Sequence, residues 1–155
     1  MLVWRLQRSV HSALTGEGAR LYGGRWNSPG RPVVYTSDSL AVSVLEMLVH
    51  LDSDLVPADY ASYMIDIPDD LRTAEVVRGD LPGGWNRSIT CRECVQFGEN
   101  WLERGETAVL IVPSAVVTHG NNVLIDPRHD FARSISVRSI SVRSEDPFDF
   151  DPRLR

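Results

Sequence analysis

The chain has 155 residues and a mass of 17.3 kDa, enough for one domain with a substantial buried core. Its 43% apolar and 24% charged residues exclude a disordered polyelectrolyte, and a net charge of −5 argues against direct nucleic-acid binding, which draws on an excess of cations. All sixteen basic residues are Arg, so there is no lysine for Schiff-base chemistry or a Gly-Lys-Ser phosphate loop, and planar guanidinium groups are left to meet any anionic ligand.

Leu2 to Leu6 alternate, with Trp4 and Arg5 on opposite faces, and predict a short opening strand. Arg5 is either solvated or turned to a ligand. Thr15 to Gly30 carries five glycines and reads as a loop that approaches something closely. It is not a dinucleotide fingerprint, because Leu21 stands where the third glycine is required. Val33 to Ser37 is a β-branched run with Val33, Tyr35 and Ser37 on one side. Ser37 or Asp38 can cap the helix predicted over about Ser39 to Leu51, in which Ala41, Val44, Leu45 and Leu48 form the stripe expected to face the core. Glu46 lies off that stripe and shares a face with His50 one turn later.

An Asp-rich turn at 52–57 leads to an alternating strand over Tyr63–Ile67. Cys91 and Cys94 form one Cys-x-x-Cys, read as two reduced thiols near a helix start rather than a redox pair or half a zinc site. His119 and His129 are too far apart to complete a finger, and no metal is expected. The helix expected over Arg92 to Glu103 would bury Cys94, Val95, Trp101 and Leu102. Ala108 to Val112 is apolar on both faces and reads as a buried central strand that ends at Ser114, where side chains often reach a cleft. A short strand and turn follow over Asn122–Pro127. The tail repeats Ser134–Arg138 as Ser139–Arg143, a five-residue insertion that swaps strand faces unless a bulge absorbs it. One copy is expected in the sheet. The N-terminus lacks the apolar run of a signal peptide and no segment is long enough to span a membrane, so a cytoplasmic location is expected.

No Gly-x-Ser-x-Gly elbow and no His-Glu-x-x-His is present. What remains is Arg25, Tyr35, Glu46 and a serine. That set suits cleavage of a bond whose leaving group is already cationic, such as the nicotinamide–ribose bond of NAD, since nicotinamide departs neutral and needs no general acid. Glu46 could stabilise the developing oxocarbenium ion, Arg25 could hold a phosphate, and Tyr35 could stack on the nicotinamide or ribose. An Arg, a Tyr and a Glu this close together also occur as ordinary solvated surface.

The motifs Gly23-Gly24-Arg25-Trp26-Asn27, Val34-Tyr35-Thr36-Ser37, Leu45-Glu46-Met47-Leu48-Val49-His50 and Val112-Pro113-Ser114 together resemble the RES-domain family, whose name records its Arg, Glu and Ser. The resemblance continues through Asn122, Asp126-Pro127-x-His129 and Phe150-Asp151-Pro152-Arg153-Leu154, essentially the whole chain as one domain, residues 1–155. Cys91-Arg92-Glu93-Cys94 departs from its pattern. The resemblance implies an α+β, ADP-ribosyltransferase-like fold of central mixed or antiparallel β-sheets flanked by helices. It also implies a bacterial type II toxin that depletes NAD by hydrolysis or phosphorolysis, with NAD as substrate and no prosthetic group. A Xre-type antitoxin would neutralise it in a hetero-oligomer and supply the DNA binding. Some members instead modify a protein with ADP-ribose. By position, Arg25 is similar to the NAD-binding Arg, Tyr35 to the stacking aromatic, Glu46 to the catalytic carboxylate and Ser114 to the site serine. His50, Arg5 and Asn27 are further candidates for contact with NAD. A catalytically inert module that only binds its antitoxin is disfavoured because the central four are all present.

Overall fold

One mixed sheet of seven strands runs through the computed structural model, which describes residues 1–50, 59–88, 90–133, 140–151 and 153. The strands are β1 (Leu2–Arg8), β2 (Val34–Ser37), β3 (Tyr60–Asp66), β4 (Thr73–Glu75), β5 (Val109–Pro113), β6 (Asn121–Ile125) and β7 (Ser141–Pro147). Their order is β4-β5-β6-β2-β1-β3-β7, antiparallel throughout except for the β4–β5 pair. The helices are α1 (Glu17–Tyr22), α2 (Leu40–Leu48), α3 (Arg92–Arg104) and α4 (Asp130–Arg133). None of the described helices is long and apolar enough to cross a membrane.

Strand alternation divides the core between the two faces of the sheet. Val3, Val34, Ala61, Tyr63, Ile65, Val109, Val123 and Ile125 pack together on one face. On the other, Leu110, Val112 and Leu124 meet Cys94, Trp101 and Leu102 of α3, together with Trp26 and Trp85. Leu6 and Tyr60 of the same sheet meet Val44 of α2 and Phe150. The second face, roofed by α2 and α3, carries the residues discussed below.

The strands expected from alternation are present, with ends shifted by one to three residues. Helix α2 stops at Leu48, and Leu51 and the 52–57 turn lie outside the described residues. Its cap is Ser39, whose hydroxyl accepts from the Val42 amide, rather than Ser37 or Asp38. The buried side of α2 also differs from the expected stripe. Val42, Ser43 and Val44 are buried, while Ala41 is exposed and Leu45 is 41% exposed. Apolar residues stand all round this helix, so spacing alone did not fix its rotation; polar contacts do, beginning with the Ser43 hydroxyl, which donates to the Trp4 carbonyl at 2.9 Å.

The glycine-rich stretch expected to be a loop contains α1. Gly16 (φ 65°) and Gly23 (φ 73°) bracket it, so these glycines are helix boundaries. In β7, Met64 faces Ser144 and Ile65 faces Val142, so Arg143 is the extra residue of a bulge. The second copy of the repeat thus enters the sheet through Ser141–Arg143 with a bulge in its register; the first copy, Ser134–Arg138, lies outside the described residues.

Candidate active site

A cleft of about 550 Å³ opens on the helix-covered face, lined by Gly24, Arg25, Tyr35, Glu46, His50 and Asn122 among others. That volume lies in the range of small-molecule sites. Three of the four central residues expected from the sequence therefore share one cavity, and the fourth stands behind it.

Glu46 projects from α2 toward the ends of β5 and β6. Its Oε1 accepts from the Ser114 hydroxyl at 2.6 Å and from the Asn122 side-chain amide at 2.7 Å. Among the described residues nothing donates to Oε2. Two donors to one carboxylate oxygen fix the plane of the group. Each donor is itself held. The amides of Val116 and Val117 donate to the Ser114 Oγ at 3.1 and 2.8 Å, which leaves the serine proton for Glu46. The Ser37 hydroxyl donates to the Asn122 Oδ1 at 2.8 Å, which turns the amide nitrogen toward Glu46. Ser114 is 1% exposed and does not line the cleft, so it orients the carboxylate from behind. Asn122 and Ser37 escaped selection from the sequence, although the alternation that puts Tyr35 on the cleft face puts Ser37 there too.

Arg25 lies within the tight turn closed by Gly24 and Asn27, whose backbones pair as an isolated bridge. Its Nη1 donates to the Trp85 carbonyl and its Nη2 to the Ser88 carbonyl, both at 2.8 Å, and the guanidinium lies 5.9 Å from the centre of the Trp85 ring. Burial lowers its pKa, while the charges of Glu46 and Tyr35 draw it back up. Tyr35 is half-buried. Its hydroxyl donates to the Asn27 Oδ1 at 2.7 Å and accepts from the Trp26 amide at 3.1 Å, and burial pushes the phenol well above its ordinary value. Gly24 must lack a side chain here, because a Cβ would stand 2.5 Å from the Tyr35 hydroxyl.

The remaining candidates separate. His50 lines the cleft, exposed, just past the end of α2. Asn27 is 1% exposed, and its amide nitrogen serves the carbonyls of Ala19, Ser28 and Arg31 at 3.0 Å; it ties down the Arg25 turn and is not among the lining residues. Arg5 sits on the opposite face of the sheet, beside Tyr63. It donates to Gln7 at 2.6 Å and to the Tyr35 carbonyl at 3.2 Å, and burial brings its pKa down to about 10. Arg5 therefore supports β2 and does not reach the cleft.

Cys91 and Cys94, expected as reduced thiols, are joined in a disulfide at the start of α3, where the Cys91 sulfur also caps the helix by accepting from the Cys94 amide. Bringing positions 91 and 94 together is a product of the capping turn, in which residues three apart face one another. Among the described residues, no cluster of three or more His, Cys, Asp or Glu side chains is placed to hold a metal.

The mixed sheet roofed by helices on its cleft face, with a clamped carboxylate opposite an arginine, defines an α+β protein of ADP-ribosyltransferase-like fold. The RES-domain model matches residues 2–151, so the chain belongs to the RES-domain family of toxins. It is 41% identical over 140 residues to Toxin Res of Photorhabdus laumondii, covering 88% of each chain. It is 40% identical over 150 residues to the Prs ADP-ribosylating toxin of a Sphingobium species, covering 93% of each. In fold it is similar to a chain of the Mycobacterium tuberculosis MbcT–MbcA toxin–antitoxin complex. There the TM-score is 0.76 at 22% identity, with 99% of this chain and 85% of the other covered.

Proposed function

We propose that this toxin destroys NAD by cleaving its nicotinamide–ribose bond, with water or phosphate as acceptor. The observation that carries the reading is the Glu46 carboxylate, clamped through Oε1 and bare at Oε2, in one cleft with Arg25 and Tyr35. Nicotinamide leaves as a neutral molecule from a cationic precursor, so the reaction needs no proton donor at the leaving group. It does need a fixed negative charge beside the sugar as the oxocarbenium ion develops, and Glu46 supplies it without reorganisation. Arg25 keeps N–H donors beyond the two spent on carbonyls and would meet a phosphate. Tyr35, with its hydroxyl engaged, offers its ring face for stacking. NAD is then a substrate and no prosthetic group is required.

A second reading is transfer of ADP-ribose to a protein, favoured by the 40% identity to a relative named for ADP-ribosylation. The two differ in what attacks the ribose. Purified protein incubated with NAD alone should release nicotinamide, and mass analysis with and without phosphate identifies the acceptor; no release until a protein acceptor is added would select the second reading. Glu46→Gln keeps the shape of the group and removes its charge, and should cut turnover by about a hundredfold or more. An unchanged rate would remove Glu46 from the mechanism. In the cell, we place the protein in the cytoplasm, bound and silenced by an antitoxin of the Xre type, the neighbouring fold having been captured in a toxin–antitoxin complex.

A further inference from the structure

Two corners of the cleft, the Glu46 clamp and the Arg25 turn, are joined by a residue that lines neither. Arg78 lies in a turn of 3-10 helix over Arg78–Asp80, after β4. Its Nη2 donates to the Ser114 carbonyl at 3.0 Å and to the Val117 carbonyl at 3.2 Å, bracketing the turn that follows β5. Within that turn the Val116 and Val117 amides aim at the Ser114 Oγ, and the Ser114 hydroxyl donates to the Glu46 Oε1. The Arg78 guanidinium also lies 5.6 Å from the centre of the Trp85 ring, the same ring that Arg25 overlies and whose carbonyl Arg25 grips.

We infer that Arg78 is a positioning residue: it holds the 114–117 turn in the one conformation that points the Ser114 hydroxyl at Glu46, and through Trp85 it sets the distance between this clamp and Arg25. The alternative of a surface arginine that is merely solvated does not fit a single nitrogen shared between two carbonyls of one turn. A cation is the right group for this task, because two carbonyl oxygens brought together repel each other and a shared positive donor cancels that repulsion. The inference rests on Glu46 being the catalytic carboxylate of the NAD reaction.

A double-mutant cycle tests it. Arg78→Ala should lower kcat for nicotinamide release about tenfold while KM for NAD stays within about twofold, since a displaced carboxylate loses transition-state stabilisation more than ground-state binding. In a Ser114→Ala background the same substitution should cost less than about twofold, because the route to Glu46 is already cut. Arg78→Lys, which still donates to carbonyls, should recover part of the loss. Equal kcat losses in both backgrounds, or a change confined to KM, would overturn the inference. Amide hydrogen exchange gives a reading independent of activity: the Val117 amide should exchange faster in Arg78→Ala, with Val112 in the adjoining strand unchanged. If wild-type protein releases no nicotinamide but the Val117 amide is deprotected as expected, the NAD reading fails and the structural role stands. If the amide is unaffected, the positioning role fails whatever the activity.

Discussion

Tyr35 combines two duties in one side chain, a ring at the cleft wall and a hydroxyl that fastens the Arg25 turn through Asn27 and the Trp26 amide. Burial favours its neutral form and raises its pKa above the ordinary tyrosine value of 10.0. The folded protein then holds this proton more tightly than the unfolded chain does. The associated stability is complete below about pH 10 and declines as pH rises beyond it, where the unfolded phenol ionises and the folded one resists. Tyr35→Phe should lower stability near neutrality, by about 1 kcal/mol for each hydrogen bond lost, yet flatten the alkaline decline. Chemical denaturation at about pH 8 and about pH 11 reads both effects. Some decline should persist, because burial also raises the pKa of Tyr60 and Tyr63. A decline as steep as that of the wild type would detach Tyr35 from it.

Among the elements, α3 sets how closely the Arg25 turn can approach the sheet. Gly98 faces the backbone of Trp26, and a Cβ built on it would lie 1.8 Å from the Trp26 carbonyl oxygen. No rotamer change relieves a clash between Cβ and backbone. Gly98→Ala should therefore cost about 3 kcal/mol or more and weaken NAD binding by displacing Arg25; thermal unfolding and KM measured on the same protein check the two together. The conformational advantage of Ala in a helix, roughly 1 kcal/mol, is too small to offset it. Much of this element level was legible beforehand. Tyr35 could be placed on one side of its strand with Ser37 because a strand has only two sides, whereas Ser114, expected to reach the cleft from the end of a buried apolar run, instead stands behind Glu46. The rotation of α2 was not legible, since Leu40, Ala41, Val42, Val44, Leu45, Met47 and Leu48 leave no polar side to exclude. Glu46 and Ser43 decide it through partners distant in sequence. Strand β4 is three residues at the sheet edge and β7 is largely exposed, so neither carries the apolar alternation by which strands are recognised. Arg78 had no signal at all, because its importance lies in two carbonyl oxygens and backbone atoms leave no trace in composition.

For the molecule as a whole, the site is shared between regions far apart in the chain. The sheet order sets β6, from the C-terminal half, beside β2, and this brings Asn122 to Glu46. A ligand spanning Arg25 and Glu46 should therefore stabilise the entire fold. With the slow variant Glu46→Gln, NAD at a hundred times its Kd should add about 2.7 kcal/mol and raise the unfolding temperature by several degrees. Arg25→Ala introduced into Glu46→Gln should abolish the shift at the same NAD concentration. An equal shift in both proteins would mean that Arg25 does not hold the substrate.

The Glu46 clamp also bears on synthesis. Its two donors, Ser114 and Asn122, lie 68 and 76 residues downstream of the carboxylate they hold. A ribosome that has already released Arg25, Tyr35 and Glu46 has yet to translate either donor, and pairing across such separations is slow because long loops must close first. The Glu46 clamp can therefore close only near the end of elongation, once Ser114 and Asn122 are both available to it.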